Sequence, residues 1–437
     1  MTNEQIVQLR KNTFAGIVGN LFEWYDFAVF GFLASVLSGH FFPAQDPLTG
    51  LIETYGVFAV GYLMRPLGGI LFGHLGDRLG RKKALQLSMF LMAVPTVLIG
   101  LLPTYQQIGV GASIVLILLR LVQGISVGGE LIGSVSFLVE TAPPRRRGLQ
   151  GSWSLCSAVG GLLLGSGLVV ALEHFIGHSA MQLWGWRLPF LMGVFVLLVG
   201  LWLRAKMAES PEFIEAKQRG DLRKLPLRDV LTVMPGRVLR LVAIIIIVTS
   251  STYMLFVWMP TYLSEILVPP LPQALSINTL AMTVLLLAIP VAGWLSDRFG
   301  HRRVILVSIV LMGLLAYPLF LAIDRGDAAT VLAAQIVFAL LCGGLQGPTP
   351  ALMVEMFPPW ARYSALGLGY NLTIALFGGT APMVATWMIR ETGDLASPAI
   401  YLLVLSLVSL YALWTLKPLS ASETGPWLAA EADSPSL

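Results

Sequence analysis

The chain has 437 residues, 56% hydrophobic and only 12% charged, with a net charge of +4 and a mean hydropathy of +0.77. A soluble domain carries about 25% charged residues, so this deficit excludes a largely hydrated surface and puts most side chains against lipid or protein. The positive balance is no nucleic-acid signal, because the basic residues collect in loops between apolar runs. The polar start, Met1 to Asn12, leads into a long run containing Glu23 and Asp26. It lacks a short apolar core with a small-residue cleavage site, so it reads as an uncleaved first helix. A span needs roughly 20 apolar residues. The pattern predicts twelve, over 13–40, 51–73, 84–103, 110–140, 149–173, 188–205, 238–265, 274–296, 304–323, 328–356, 363–390 and 397–416. Gly and Pro inside these runs do not break the assignment, because lipid forces backbone groups to stay paired within a helix or its neighbours.

The basic residues test this count. Twenty-three of the 28 Lys and Arg fall at one set of helix ends, three (Arg187, Arg325, Arg390) at the opposite ends, and only Arg65 and Arg120 within spans. Such asymmetry predicts both termini on the cytoplasmic side of the membrane. The expected division is an amino-terminal six-helix half over 1–206 and a cytoplasmic linker over 207–236. A carboxyl-terminal half follows over 237–418, then a disordered tail over 419–437. Cys156 and Cys342 lie in apolar runs and read as small core residues without a disulfide. The five histidines show no ligand spacing, so no metal and no cofactor is expected.

Two motifs recur at half-length. Gly73-His-Leu-Gly-Asp77-Arg78-Leu-Gly80-Arg81 is echoed 220 positions later by Gly293-Trp-Leu-Ser-Asp297-Arg298-Phe-Gly300-His301. Glu140-Thr-Ala-Pro-Pro-Arg-Arg-Arg147 is echoed 215 positions later by Glu355-Met-Phe-Pro-Pro-Trp-Ala-Arg362. Two repeats at nearly one offset imply duplicated halves, the usual arrangement around a midplane transport site.

These residues carry a family resemblance. The loop Gly73–Lys83 resembles the signature of the major facilitator superfamily. More narrowly, the chain is similar to the metabolite:H+ symporter family over residues 12–416. The carriers are Asn20-Leu-Phe-Glu23-Trp24-Tyr25-Asp26, Arg65-Pro66, Arg120-Leu-Val-Gln123-Gly124, Gly128-Gly129-Glu130, Gly369-Tyr370-Asn371 and Gly378-Gly379-Thr380. Trp184-Gly185-Trp186-Arg187 and Met259-Pro260-Thr-Tyr262 look most like its proline/glycine-betaine branch. The resemblance implies an all-α membrane protein with the major facilitator fold, twelve helices in two pseudo-symmetric halves, and proton-coupled uptake by alternating access. Some members of that branch carry a C-terminal coiled coil linked to osmotic sensing; the residues after Lys417 show no heptad pattern.

Three groups of residues are candidates for chemistry. Glu23 and Asp26 stand three apart on one helix face, and a charge near the bilayer centre costs about 2.5–3.5 kcal/mol on insertion scales. They are therefore expected to line a cavity as proton carriers, Asp26 foremost, or to pair with Arg65 or Arg120. Arg120, Gln123 and Glu130 share one stripe, with Arg120 and Glu130 about 15 Å apart along the axis. Arg120 and Glu130 complete the proton-coupling set, and Arg120 also suits a substrate carboxylate. Tyr25, Gln123, Tyr253, Trp258, Gln346, Tyr370 and Asn371 complete the substrate-binding set, with Tyr253 and Trp258 suited to a quaternary ammonium. Asp77, Arg78, Arg81, Asp297 and Arg298 read as gates. Glu140–Arg147 and Glu355–Arg362 read as supporting pairs.

The leading expectation is proton symport of a small zwitterionic or carboxylate metabolite through the bilayer by a monomer, with a proline- or betaine-like osmolyte favoured. A dicarboxylate, tricarboxylate or aromatic-acid importer is the alternative. Efflux fits less well, because the fifth span holds Gly160-Gly161-Leu-Leu-Leu-Gly165 without the proline of drug exporters. No hydrolytic grouping is present, so the protein is not expected to be an enzyme.

Overall fold

The computed structural model describes residues 20–417 except 45, 80, 127–129, 196–197, 200–229, 231 and 325–326. The described residues contain helices and turns and no strand. Helix α1 is bent, with Asn20–Phe32 and Ala34–Phe41 at 61° to each other. Then come α2 (Pro47–Phe72), α3 (Arg81–Leu101), α4 (described as Val110–Ser126 and Glu130–Glu140), α5 (Pro144–Ile176) and α6 (described from Arg187–Leu191). The carboxyl half holds α7 (Pro235–Ile266), α8 (Ala274–Phe299), α9 (His301–Ile323), α10 (Ala328–Glu355), α11 (Ala361–Thr392) and α12 (Ser397–Trp414).

Nine of these helices are individually long and apolar enough to cross a membrane, and α1 qualifies as a bent pair. The apolar part of α3, Gln86–Leu101, is shorter. The sixth expected span is described only near its start. The tail over 419–437 lies outside the described residues, as does the linker over 207–236 apart from 230 and 232–236.

Local sequence explains the helix boundaries. Asp46 caps α2, accepting from the Leu48 and Thr49 amides at 3.3 and 3.2 Å and from the Thr49 hydroxyl at 2.7 Å, with Pro47 next. Asp327 caps α10 through the Thr330 amide at 3.0 Å and hydroxyl at 2.9 Å. These bonds hold both carboxyls below the usual carboxylate range. Between α8 and α9 the chain turns on Gly300 at φ +94°, a conformation side chains with a Cβ rarely adopt.

Two seams join the halves: α5 packs on α8, and α2 packs on α11. Within the carboxyl half α8 packs on α10 and α9 on α12. Helix α7 contains two π-helical stretches, Tyr253–Trp258 and Tyr262–Ile266, and α11 contains Ile374–Gly378. Such stretches re-aim side chains and recur at functional sites. Tyr262–Ile266 begins away from the central cavity, whereas the other two begin on residues, Tyr253 and Ile374, that line it.

Candidate transport site

Helices α1, α2 and α4 bring four charged side chains into the interior of the amino half. Glu23, Asp26, Arg65 and Arg120 are all buried. Glu23 is taken by Arg65, whose Nη2 donates to Oε1 at 2.8 Å. The Arg65 guanidinium is also 5.3 Å from the ring centre of Trp24, 5.5 Å from Tyr62 and 5.6 Å from Phe27. These aromatic faces offset part of its desolvation.

Asp26 is treated differently. It lies within electrostatic reach of Arg120 and Glu23, yet neither of its carboxylate oxygens has a hydrogen-bond partner. Thr96 stands beside it, but the Thr96 hydroxyl proton goes to the Met92 carbonyl at 3.0 Å. Arg120 is packed at 4.4 Å from the Phe30 ring centre and 4.8 Å from Phe27. It donates to Gln123 Oε1 at 2.9 Å, and Gln123 Nε2 donates to Thr96 at 2.7 Å. Its Nε and Nη2 have no acceptor. Of the two acids read as proton carriers, Glu23 thus sits in an ion pair and Asp26 does not. The Glu130 side chain lies outside the described residues.

A small, narrow cavity lies between the halves. Its walls are Trp24 from α1, Leu155, Ala158, Val159 and Leu162 from α5, and Ile245, Val248, Thr249, Thr252 and Tyr253 from α7. Gln346 and Thr349 from α10, with Tyr370 and Ile374 from α11, complete it. None of these lining residues carries a formal charge.

The polar lining is nearly all spoken for. Thr249, Thr252 and Thr349 give their hydroxyl protons to backbone carbonyls, at 3.2 Å to Ile245, 2.7 Å to Val248 and 2.6 Å to Leu345. Gln346 donates to Thr252 at 3.0 Å. The buried Tyr253 hydroxyl lies beside that of Tyr62.

The expected substrate residues therefore divide. Tyr253, Gln346 and Tyr370 line the cavity. Trp258 does not: its indole N–H donates to Thr386 at 2.9 Å and its ring lies 4.9 Å from Tyr262. Trp24 takes the wall position instead, 6.2 Å from Tyr253 between ring centres. Tyr25 donates to the Pro189 carbonyl at 2.7 Å, while Arg120 and Gln123 bond to each other. Asn371 is buried and is not among the lining residues.

At the end of the bundle rich in basic residues, contacts run between the halves. The Asp297 carboxylate accepts from the Gly148 amide at 2.7 Å and the Leu149 amide at 2.9 Å. It thereby caps the start of α5 from α8, where the helix dipole favours an anion. A Cβ on Gly148 would collide with Ser296 Oγ and stand 2.5 Å from the Gly293 carbonyl.

The supporting pairs differ from the expected ones. Arg362 donates to Glu140 across the halves at 2.6 Å, and Glu355 faces His301 at 3.5 Å. The expected Glu140–Arg147 and Glu355–Arg362 pairs are thus replaced, because α4 and α11 meet here and bring Arg362 to Glu140. Arg298 stacks 3.9 Å from the Trp294 ring centre. The side chains of Asp77, Arg78 and Arg81 lie outside the described residues.

Sequence reasoning assigned no role to Asn20, Trp24, Tyr62 or Thr96. Asn20 and Trp24 do lie in the motif quoted from α1, and their spacing of four puts them on one helix face. Thr96 is an isolated polar residue in an apolar run and gives no sequence signal of its own.

A charged interior in one half, an uncharged cavity between the halves and capped contacts at one end suit a membrane transporter, the class to which the matching families and relatives belong. The chain belongs to the major facilitator superfamily. Residues 12–229 match the family model described as sugar (and other) transporter, and residues 269–426 that of the superfamily itself. It is 37% identical over 412 residues to the glycine betaine/proline/ectoine/pipecolic acid transporter OusA of Dickeya dadantii, covering 92% of this chain and 82% of that one. It is 35% identical over 419 residues to the proline/betaine transporter of Escherichia coli K12, covering 94% and 84%. It is 34% identical over 407 residues to the ectoine/proline transporter ProP of Corynebacterium glutamicum. Among solved structures, the proton:xylose symporter XylE superposes with a TM-score of 0.76 at 18% identity, covering 97% of this chain and 99% of that one.

Proposed function

We propose that the chain imports a small zwitterion of the proline and betaine class together with protons, as a monomer in a bacterial inner membrane with both termini cytoplasmic. The observation that carries the coupling is Asp26, a buried carboxylate with no hydrogen-bond partner. An unpaired charge there is costly, and a proton removes it. The relatives named as proline, betaine and ectoine transporters support the substrate class. The uncharged cavity lining supports a solute of zero net charge over a dicarboxylate or tricarboxylate, which would bring two or three buried charges without counter-charges.

Alternating access follows from the seams. Contacts at the basic end, the Asp297 cap and the Glu140–Arg362 pair, hold the cytoplasmic side shut. Proton and substrate binding from outside would be followed by release of these contacts and rocking of the halves. Glu130, Asp77, Arg78 and Arg81 complete the proposed coupling and gating set.

The test is radiolabelled uptake into proteoliposomes over a panel of proline, glycine betaine, succinate, citrate and shikimate, with and without an inward proton gradient. Proline or betaine is expected to accumulate only with the gradient. Asp26→Asn is expected to abolish accumulation while leaving exchange of substrate across the membrane. Accumulation retained by Asp26→Asn removes Asp26 from the coupling role, and indifference of uptake to the gradient removes symport.

A further inference from the structure

We infer that Trp24 sets substrate specificity by receiving the cationic end of the zwitterion on its indole face, and that Asn20 is the residue that positions it. The inference rests on the transport reading above. Nothing negative lines the cavity among the described residues, so a substrate cation has only aromatic faces and lone pairs to meet. The Thr249, Thr252 and Thr349 hydroxyls have spent their protons on carbonyls, which leaves their oxygens as acceptors. A secondary ammonium can donate to such oxygens. A quaternary ammonium has no N–H and must rely on the π faces, where desolvated cation–π attraction is strongest for Trp.

The Trp24 ring is fixed in place. Its N–H donates to Asn20 Oδ1 at 3.1 Å, and Asn20 Nδ2 donates to the Ser154 carbonyl at 3.1 Å and to Ser157 Oγ at 2.7 Å, both on α5. Ser157 gives its own proton to the Ser154 carbonyl at 2.7 Å, so it can only accept from Asn20. The indole is thus held through one amide to the neighbouring helix, with the Tyr253 ring of the other half tilted against it at 6.2 Å between centres and the Arg65 guanidinium 5.3 Å from its own centre. Tyr253 supplies the complementary group: its buried hydroxyl lies beside that of Tyr62 and within electrostatic reach of Arg65. A zwitterion with its ammonium on Trp24 would present its carboxylate to that hydroxyl.

The experiment compares uptake kinetics of proline and glycine betaine in proteoliposomes for the wild type, Trp24→Phe, Trp24→Leu, Asn20→Ala and Asn20→Gln. Loss of the indole face is expected to raise KM for betaine about tenfold or more in Trp24→Leu, and less in Trp24→Phe. KM for proline should rise about threefold or less, and an unchanged melting temperature of the purified variant in detergent reports correct folding. Asn20→Ala should shift betaine KM in the same direction, and Asn20→Gln, which retains both donor and acceptor, should recover most of the shift.

Equal KM changes for the two substrates in Trp24→Phe and Trp24→Leu would overturn the Trp24 assignment while leaving the transport reading intact. A wild type that moves neither proline nor betaine fails the transport reading itself. If Trp24→Leu shows no uptake of either, the betaine-to-proline KM ratio in Trp24→Phe decides. An unchanged ratio in Asn20→Ala overturns the positioning role.

Discussion

Replacing Arg65 by Met would take the guanidinium away from the buried Glu23 carboxylate and from the Trp24, Phe27 and Tyr62 rings it packs on. Removing one member of a buried pair typically costs about 3–5 kcal/mol, whereas replacing both by apolar groups of similar size is often neutral. Arg65→Met is therefore expected to lower thermal stability in detergent strongly, and the Glu23→Gln/Arg65→Met double variant should recover most of that loss. If the two single losses simply add, the pair is not the structural element described here. The same comparison explains why sequence alone left Glu23 and Asp26 as equal candidates. Both acids lie on one helical face, and spacing cannot tell which meets a base. That depends on α2 bringing Arg65 to Glu23 while Arg120 on α4 turns to Gln123, which is a fact of packing.

At the scale of the helices, the repeated Gly-x-x-x-Asp-Arg-x-Gly motif announced its turn but not its partner. Gly300 adopts the left-handed conformation such a turn requires, and that much the motif predicts from chemistry. That Asp297 caps α5, a helix about 150 positions away in the chain, follows only from the α5–α8 seam. The exchange of Glu140–Arg147 for Glu140–Arg362 has the same origin, since the repeat places both arginines at equal separation from their acids and the fold chooses between them.

The seam makes a sharp demand at Gly148. Gly148→Ala would drive a Cβ into Ser296 and the Gly293 backbone, and backbone cannot rotate away. Overpacking of this kind costs about 1–3 kcal/mol, here charged to the state in which the basic end is closed. A cysteine placed at Thr252 in the cavity should then react faster with a thiol reagent applied from the basic end in Gly148→Ala than in the parent. Equal rates would mean that the α5 start is not part of the closure.

Across the whole molecule, the described contacts bridge the halves on both sides of the cavity. At one end lie the Asp297 cap and the Glu140–Arg362 pair; toward the other, Tyr55 of α2 donates to Thr261 of α7 at 2.8 Å, and Ser166 of α5 lies 2.5 Å from Thr279 of α8. The hydropathy pattern and the asymmetry of basic residues made the helix order and the duplicated halves legible. The cavity was not, because it is built from residues such as Leu155, Val248 and Ile374 that resemble core in any sequence.

Contacts between the halves at both ends predict that either set can be loosened separately. Tyr55→Phe removes one buried hydrogen bond, worth about 1 kcal/mol, and so shifts the balance toward opening at that end by roughly fivefold. In a background with the buried Cys156 and Cys342 replaced by Ser, a Thr252 cysteine should label about fivefold faster from the Tyr55 end in Tyr55→Phe. Its rate from the basic end should not rise. Asp297→Asn should do the reverse, because a neutral amide is a weaker cap for the α5 dipole. A Tyr55→Phe protein that labels no faster from its own end would show that the Tyr55–Thr261 bond does not hold that side closed.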